Sequence, residues 1–149
     1  MAVTEQIVDA PPERVWHVLA DGWSYSDWVV GTAHIRDVDP GWPTTGSRIH
    51  HKVGPWPLSI RDHTVVLEHD NGRRLLMRAR FWPLGEAVIH ISLAAFDGGR
   101  TRVTMSEEFA AGPLQWLRTK INDLVLHGRN RESLRRLADF AVHRGPKPS

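Results

Sequence analysis

Two residues, His51 and Glu107, are the best candidates for chemistry in this sequence. Each has apolar residues two positions away on both sides, which is the spacing of side chains that share one face of a β-strand. The apolar face of a strand points into the protein, so both ionisable groups are expected to point inward. Burial disfavours charge on each group and proximity favours an ion pair, and this competition can place a proton acceptor near neutral pH. The pattern indicates general acid/base chemistry, with His51 as base or donor and Glu107 orienting it.

A third candidate for this chemistry is Asp62, which would also orient His51. It lies in a segment, Leu58–His69, whose alternation allows either Asp62 or His63 to face the interior. A structural interpretation stands beside the catalytic one. A strand histidine is often a satisfied, partly buried residue, and an inward glutamate often bonds an arginine such as Arg78 or Arg80.

Motifs for metals, cofactors and familiar enzymes are missing from the sequence. There is no cysteine, which excludes disulfides, thiol nucleophiles and thiolate-bound metals. His50 and His51 are adjacent on a predicted strand and point to opposite faces, and the nine histidines include no His-x-His or His-x-x-x-His pair. The glycine-rich and nucleophile motifs of Rossmann dehydrogenases, P-loop NTPases and serine hydrolases are also absent. We therefore expect neither a metal nor a cofactor.

Length and composition are those of one globular domain. The chain has 149 residues, of which 41% are hydrophobic and 24% charged. Apolar runs are too short for a signal peptide or a bilayer span, which favours a cytoplasmic protein without membrane insertion. The formal net charge is +2 with both signs interspersed, which gives no indication of a nucleic-acid partner. The densest basic group, Arg129, Arg131, Arg135 and Arg136, alternates with acidic residues and is predicted to form a solvated helix face.

The elements that position these residues follow from periodicity and turn chemistry. A strand over Thr4–Asp9 precedes a helix over Ala10–Ala20 with proline in its first turn, and the aromatic segment Gly22–Gly31 predicts one or two more helical turns. Six alternating segments joined by short glycine or proline turns then predict antiparallel strands. These are Ala33–Val38, Ser47–Val53, Leu58–His69, Arg74–Phe81, Ala87–Phe96 and Thr101–Phe109.

A long helix closes the chain. It is expected to open at Gly112-Pro113 and to end near Val142. Its apolar stripe is predicted to comprise Leu114, Leu117, Ile121, Leu124 and Val125, and to resume with Leu134, Leu137, Ala138 and Ala141. The register drifts across Gly128 to Glu132, where we expect a bend or a change in burial.

Taken in this order, the elements resemble the helix-grip (START-like, SRPBCC) superfamily, particularly its bacterial polyketide cyclase/dehydrase branch. The matching segments are Ala10-Pro-Pro-Glu-Arg-Val-Trp16, Asp27-Trp28, Gly46-Ser47, Arg73-Arg74-Leu75 and Gly99-Arg-Thr-Arg-Val103. The resemblance spans about residues 3–142. It implies an α+β fold in which a curved seven-stranded antiparallel sheet wraps around a long C-terminal helix, with two short helices after the first strand. A single domain would span residues 1–143, followed by a disordered tail over 144–149.

The resemblance also implies an internal cavity for a hydrophobic small molecule such as a lipid, sterol or polyketide. Non-catalytic binding is one expected function. Cyclase or dehydratase chemistry, in which His51 removes an acidic C–H proton and Glu107 and Asp62 assist, is the second. A protein-interaction module of the toxin/antitoxin type is the third. A homodimer is left open, and neither nucleic acid nor a membrane is an expected partner.

Aromatic and apolar residues are expected to form the walls and mouth of that cavity, because large flat side chains suit apolar ligands. The candidate ligand-binding residues are Tyr25, Trp28, Trp56, Met77, Phe81, Trp82, Met105, Trp116 and Ile121. Trp28 is placed near the mouth. Trp16 is instead expected to pack the first helix against the sheet.

Overall fold

A computed structural model describes residues 2–30, 32–53, 60–81, 85–111 and 120–143 of the chain. Its strands and helices are β1 (Ala2–Val8), α1 (Pro12–Ala20), α2 (Tyr25–Trp28), β2 (Thr32–Val38), β3 (Arg48–Val53), β4 (Ile60–Asp70), β5 (Arg74–Phe81), β6 (Gly85–Phe96), β7 (Arg100–Ala111) and α3 (Lys120–His143). The predicted strands and first helix are confirmed, with described ends that differ by two residues at most. The predicted tail, 144–149, and the predicted start of the last helix lie outside the described residues.

The seven strands form one antiparallel sheet in the order β1-β7-β6-β5-β4-β3-β2. The first strand pairs with the last, so β1 and β2 are the two edges, and α1 and α2 connect them. The ladder has register shifts in β2 and again in β4, between Val66 and Glu68. An extra residue in one strand bends it and increases its twist, which suits a sheet that curves around a helix. The α+β helix-grip architecture predicted from the sequence is confirmed.

Helix α1 is fixed by its apolar face and by the side chains that bond its C-terminal end. Val15, Val18 and Leu19 are buried in the core. The last carbonyls of a helix lack partners within it, and here the Leu19 carbonyl accepts from Tyr25 OH at 2.8 Å and from Trp42 Nε1 at 3.1 Å. These bonds hold the aromatic segment that follows α1 against the core.

A close approach requires glycine at position 22, in the 3₁₀ turn Gly22–Ser24 between α1 and α2. A Cβ atom at Gly22 would lie 2.7 Å from Cγ1 of Val38, at the end of β2. Only a residue without a side chain lets the turn pack this closely on the strand. This 3₁₀ turn positions Tyr25 and Trp28 of α2.

Helix α3 covers one face of the sheet with a stripe of buried residues at helical spacing. Its buried residues are Leu126, Asn130, Ser133, Leu134, Leu137 and Ala141. The predicted burial of Leu124 and Val125 is wrong, because they are 70% and 64% exposed. The other predicted members of that part of the stripe, Leu114, Leu117 and the side chain of Ile121, lie outside the described residues. Leu124 and Val125 do not continue the stripe set by Leu134 and Leu137. Instead the buried positions there are taken by Leu126 and Asn130. None of the helices in the described part of the chain is long and apolar enough to cross a membrane.

Candidate functional site

A cavity of about 340 Å³ lies between α3 and the face of the sheet that α3 covers. Most of its lining is apolar: Trp28, Val29, Val30, Ile35, Ile49, Met77, Ala79, Ile89, Ile91, Met105, Phe109, Val125 and Leu126. The polar lining residues are Tyr25, Thr32, His51, Thr64, Glu107, Arg129, Asn130 and Ser133. A concave, mainly apolar site with a few polar groups is the usual form of a small-molecule site.

Four of the predicted ligand-binding residues line this cavity: Tyr25, Trp28, Met77 and Met105. Trp28 is fully buried in the core, so its predicted place at the cavity mouth is wrong and it forms part of the wall. Trp16 packs against the core as predicted. Trp56, Trp82 and Trp116 lie outside the described residues, as do the side chains of Phe81 and Ile121.

The aromatic wall of the cavity is a packed cluster whose polar atoms are already bonded. The Tyr25 ring lies 4.7 Å from that of Trp28 and meets Trp42 edge-on at 5.6 Å. Trp28 Nε1 donates to Ser24 Oγ at 3.2 Å, and the Tyr25 hydroxyl donates to the Leu19 carbonyl. Burial, with a smaller contribution from Asp21, raises the pKa of Tyr25 well above its usual range, so the phenol stays protonated. This wall therefore presents aromatic ring surface, and no free polar atom, to the cavity.

His51 faces the cavity from β3, as the alternation predicts. Its Nε2 lies 2.9 Å from Oγ1 of Thr64 on the neighbouring strand, and the residue is 4% exposed. Its Nδ1 is buried and has no hydrogen-bond partner in the part of the chain that the structure describes. Burial lowers the pKa of His51 to about 4, against a smaller opposing effect of Asp62, so the ring is neutral at pH 7.

Asp62 lies directly opposite His51 in the β3–β4 ladder, in the strand set that includes the buried Thr64. This placement resolves the alternation of β4 in favour of Asp62. Its carboxylate accepts from the backbone N–H of His63 at 2.9 Å and lies 3.6 Å from Nε of Arg80. Asp62 is absent from the cavity lining that the described residues form, so its carboxylate belongs to a polar cluster beside the cavity.

Glu107 and Arg129 form an ion pair inside the cavity. Both carboxylate oxygens of Glu107 accept from Nη2 of Arg129, and Nη1 of the same guanidinium donates to the Val30 carbonyl at 3.2 Å. Glu107 is buried, whereas the Arg129 side chain is 32% exposed. Arginine was the expected kind of partner for Glu107, but it comes from α3 and not from β5.

The prediction that Arg129 belongs to a solvated helix face is therefore wrong. Arg135 and Arg136 do lie on such a face, where both bond Glu132. Arg129 lies about two turns earlier, where α3 meets Glu107 of β7. Alternating charges along the sequence do not reveal which turn of a helix packs against a buried acid.

Asn130 and Ser133 are functional candidates that the sequence reasoning missed. Asn130 is 1% exposed, and neither Oδ1 nor Nδ2 has a hydrogen-bond partner among the described residues. Ser133 Oγ accepts from the backbone N–H of Val30 at 3.0 Å. The signal was the spacing of Leu126, Asn130 and Leu134, which places a polar residue inside a buried stripe.

Among the described residues there is no group of three or more histidine, aspartate and glutamate side chains able to hold a metal ion. The cavity lining can surround an apolar molecule and offer it hydrogen-bonding groups.

A sheet that grips a C-terminal helix over an internal cavity defines the helix-grip class of proteins. The sequence profile for "polyketide cyclase / dehydrase and lipid transport" matches residues 1–141. The chain therefore belongs to this family. No curated protein matches it.

Solved structures support the same fold at low sequence identity. The aromatase/cyclase Zhui from Streptomyces sp. R1128 is 18% identical with a TM-score of 0.74, over 96% of this chain and 93% of that one. Protein NE0264 from Nitrosomonas europaea is 16% identical with a TM-score of 0.73, over 95% and 94%. The hypothetical protein jhp0584 from Helicobacter pylori is 15% identical with a TM-score of 0.73, over 94% and 86%.

Proposed function

We propose that this protein binds a hydrophobic or aromatic small molecule in the cavity between the sheet and α3. The observation that carries the proposal is the cavity of about 340 Å³ with a mainly apolar lining. Burying apolar ligand surface contributes about 25 cal/mol per Å² before the costs of association. Membership of a family described by polyketide cyclisation, dehydration and lipid transport supports a ligand of this class.

The state of the ionisable groups favours binding over catalysis. A histidine whose pKa is near 4 is a weak base at neutral pH, and a general base works best with a pKa near the operating pH. Both oxygens of Glu107 are engaged by Arg129, so this carboxylate is not free to accept a proton from a ligand. Ligand binding requires neither group to titrate.

The test is a titration with N-phenyl-1-naphthylamine, an uncharged aromatic dye whose fluorescence rises in apolar surroundings. Wild-type protein is expected to bind it, and Ala79→Phe to weaken binding at least tenfold, because a phenyl group at this lining position takes up space that the dye needs. Ala95→Phe is the matched control, since it makes the same change at an exposed position of the neighbouring strand β6. Equal affinity of the two variants would place the dye elsewhere and contradict the proposal.

A cyclase- or dehydratase-like enzyme is the second candidate, favoured by the buried and unpartnered Nδ1 of His51. A bound ligand with an acidic C–H between two carbonyl groups would give up its proton to this nitrogen. Liquid chromatography with mass spectrometry of a β-dicarbonyl ligand incubated with the protein decides between the candidates, since it separates a cyclised isomer from unchanged ligand of the same mass. Conversion that His51→Ala abolishes would support the enzyme, whereas recovery of unchanged ligand supports binding alone.

A further inference from the structure

Asn130 is a buried amide without a partner in the fold. It lies in the middle of α3, lines the cavity and is 1% exposed. Oδ1 and Nδ2 both lack a hydrogen-bond partner among the described residues. Buried polar groups are almost always bonded, so a wholly unpaired amide in a cavity wall indicates a group reserved for something that enters the cavity.

The polar neighbours of Asn130 on α3 bond groups of the fold. Arg129 bonds Glu107 and the Val30 carbonyl, with only its Nε unpartnered among the described residues, and Ser133 accepts from the Val30 N–H. Only Asn130 among these three side chains has both its donor and its acceptor unused.

Charge in the cavity limits what the unused amide can receive. Among the described lining residues, Arg129 carries a positive charge, and Glu107 neutralises it. His51 is uncharged at pH 7. An anionic ligand group would be buried without a counter-charge, which is strongly unfavourable. The group that meets Asn130 is therefore uncharged.

The geometry of an amide narrows the choice further. Oδ1 and Nδ2 share one carbon atom, so they present an acceptor and a donor side by side in one plane. A group that satisfies both at once must also carry a donor and an acceptor side by side. A carboxamide or a lactam has this form, while a hydrocarbon, an ether or a carboxylate does not.

We propose that Asn130 is the specificity-determining residue of the cavity and pairs with an uncharged ligand group, of the carboxamide or lactam type, that presents a donor and an acceptor side by side. The proposal rests on the proposed function, because it concerns a ligand in the same cavity. It adds that the preferred ligand is an apolar body with such a polar edge.

Isothermal titration calorimetry with three probes of similar size tests the proposal. The probes are 2-naphthamide, 2-methylnaphthalene and 2-naphthoate. Wild-type protein is expected to bind the amide about tenfold or more tightly than either of the others, since two hydrogen bonds replace unpaired buried groups. Asn130→Leu, which removes the amide at similar volume, is expected to abolish the preference and to leave the affinity for 2-methylnaphthalene unchanged or higher.

Two further variants keep the result interpretable. Asn130→Ala repeats the measurement in case leucine disturbs packing, and Asn71→Leu makes the same change at an exposed turn between β4 and β5. Asn71→Leu should keep the wild-type preference. A preference that persists in both Asn130 variants would overturn the proposal, as would a wild-type protein that binds the three probes equally or favours the carboxylate. Binding of none of the probes would overturn the proposed function together with it.

Discussion

Three polar residues of the cavity wall, His51, Glu107 and Asn130, differ in how completely their hydrogen bonds are made. Glu107 has both oxygens bonded, His51 has one ring nitrogen bonded, and Asn130 has neither side-chain atom bonded among the described residues. The order runs from a structural ion pair to a group open to a ligand. At this scale the titration of His51 gives a prediction that needs no ligand.

Stability should fall as His51 is forced to take up a proton. Burial lowers its pKa from 6.5 to about 4, so between these values the unfolded chain binds more protons than the folded chain. The free energy of unfolding therefore decreases as the pH falls through this window, by about 2 kcal/mol from pH 7 to pH 5 for this group alone. Urea unfolding at the two pH values should show a smaller decrease in His51→Gln than in wild type.

His17→Gln is the control for this experiment, because His17 is exposed on α1. It should keep the wild-type decrease. If His51→Gln loses as much stability as wild type over the same interval, the buried neutral state of His51 is wrong.

At the scale of elements, polar contacts of Arg129 and Ser133 hold the middle of α3 to its surroundings. Arg129 bonds Glu107 of β7 and the carbonyl of Val30, and Ser133 receives the N–H of Val30. Both peptide groups of Val30 are thus bonded to side chains of α3. Val30 and the middle of α3 are expected to move as one unit.

Breaking the Glu107–Arg129 pair from one side should cost more than replacing it. Glu107→Gln leaves the guanidinium without its counter-charge, and we expect a loss of about 2 kcal/mol, less than for a fully buried pair because Arg129 is partly exposed. The double variant Glu107→Leu with Arg129→Met removes both charges and should recover most of that loss. Thermal or urea unfolding of the three proteins measures this. A double variant less stable than Glu107→Gln would show that the pair itself, and not its imbalance, determines stability.

At the scale of the whole molecule, residues from β2 to β7, α2 and α3 line the cavity, so a ligand inside contacts most of the fold. A ligand that binds only the folded state adds about 2.7 kcal/mol when its free concentration is a hundred times its Kd. For a domain of this length, that corresponds to a rise in Tm of about 5–10 °C.

Scanning calorimetry with increasing N-phenyl-1-naphthylamine should show this rise for wild type and Ala95→Phe. Ala79→Phe should show little change. A rise of equal size in Ala79→Phe would indicate that the dye stabilises the protein from a surface site. A homodimer and a protein-interaction role remain predictions from the sequence.

The strands and the inward-facing residues of the candidate site could be predicted from the sequence because side chains alternate strictly between the two faces of a strand. The period of two placed Ile49, His51 and Glu107 on the covered face, and the structure has them there. The alternation within a strand does not show which residue of another helix or strand an inward-facing side chain will bond. Glu107 pairs with Arg129, 22 residues further along the chain, and that contact depends on how α3 is rotated on the sheet.

The helix was harder to predict for a related reason. Leu124 and Val125 suggested one stripe, while Leu134 and Leu137 defined another, and the tertiary packing follows the second. Extending the second stripe backwards by whole turns reaches Asn130 and Leu126. A search for apolar residues alone misses Asn130 because its side chain is polar, although its spacing from Leu126 and Leu134 indicates a buried position.

The buried stripe along α3 has two parts, one that packs in the core and one that borders the cavity. Its C-terminal turns, with Leu134, Leu137 and Ala141, belong to the core, whereas Leu126, Arg129 and Asn130 border the cavity. Substitutions in the first group are expected to change stability, and substitutions of Leu126 and Asn130 are expected to change which ligands bind. Substitutions within about two helical turns could therefore change ligand selectivity while the core residues of α3 stay the same.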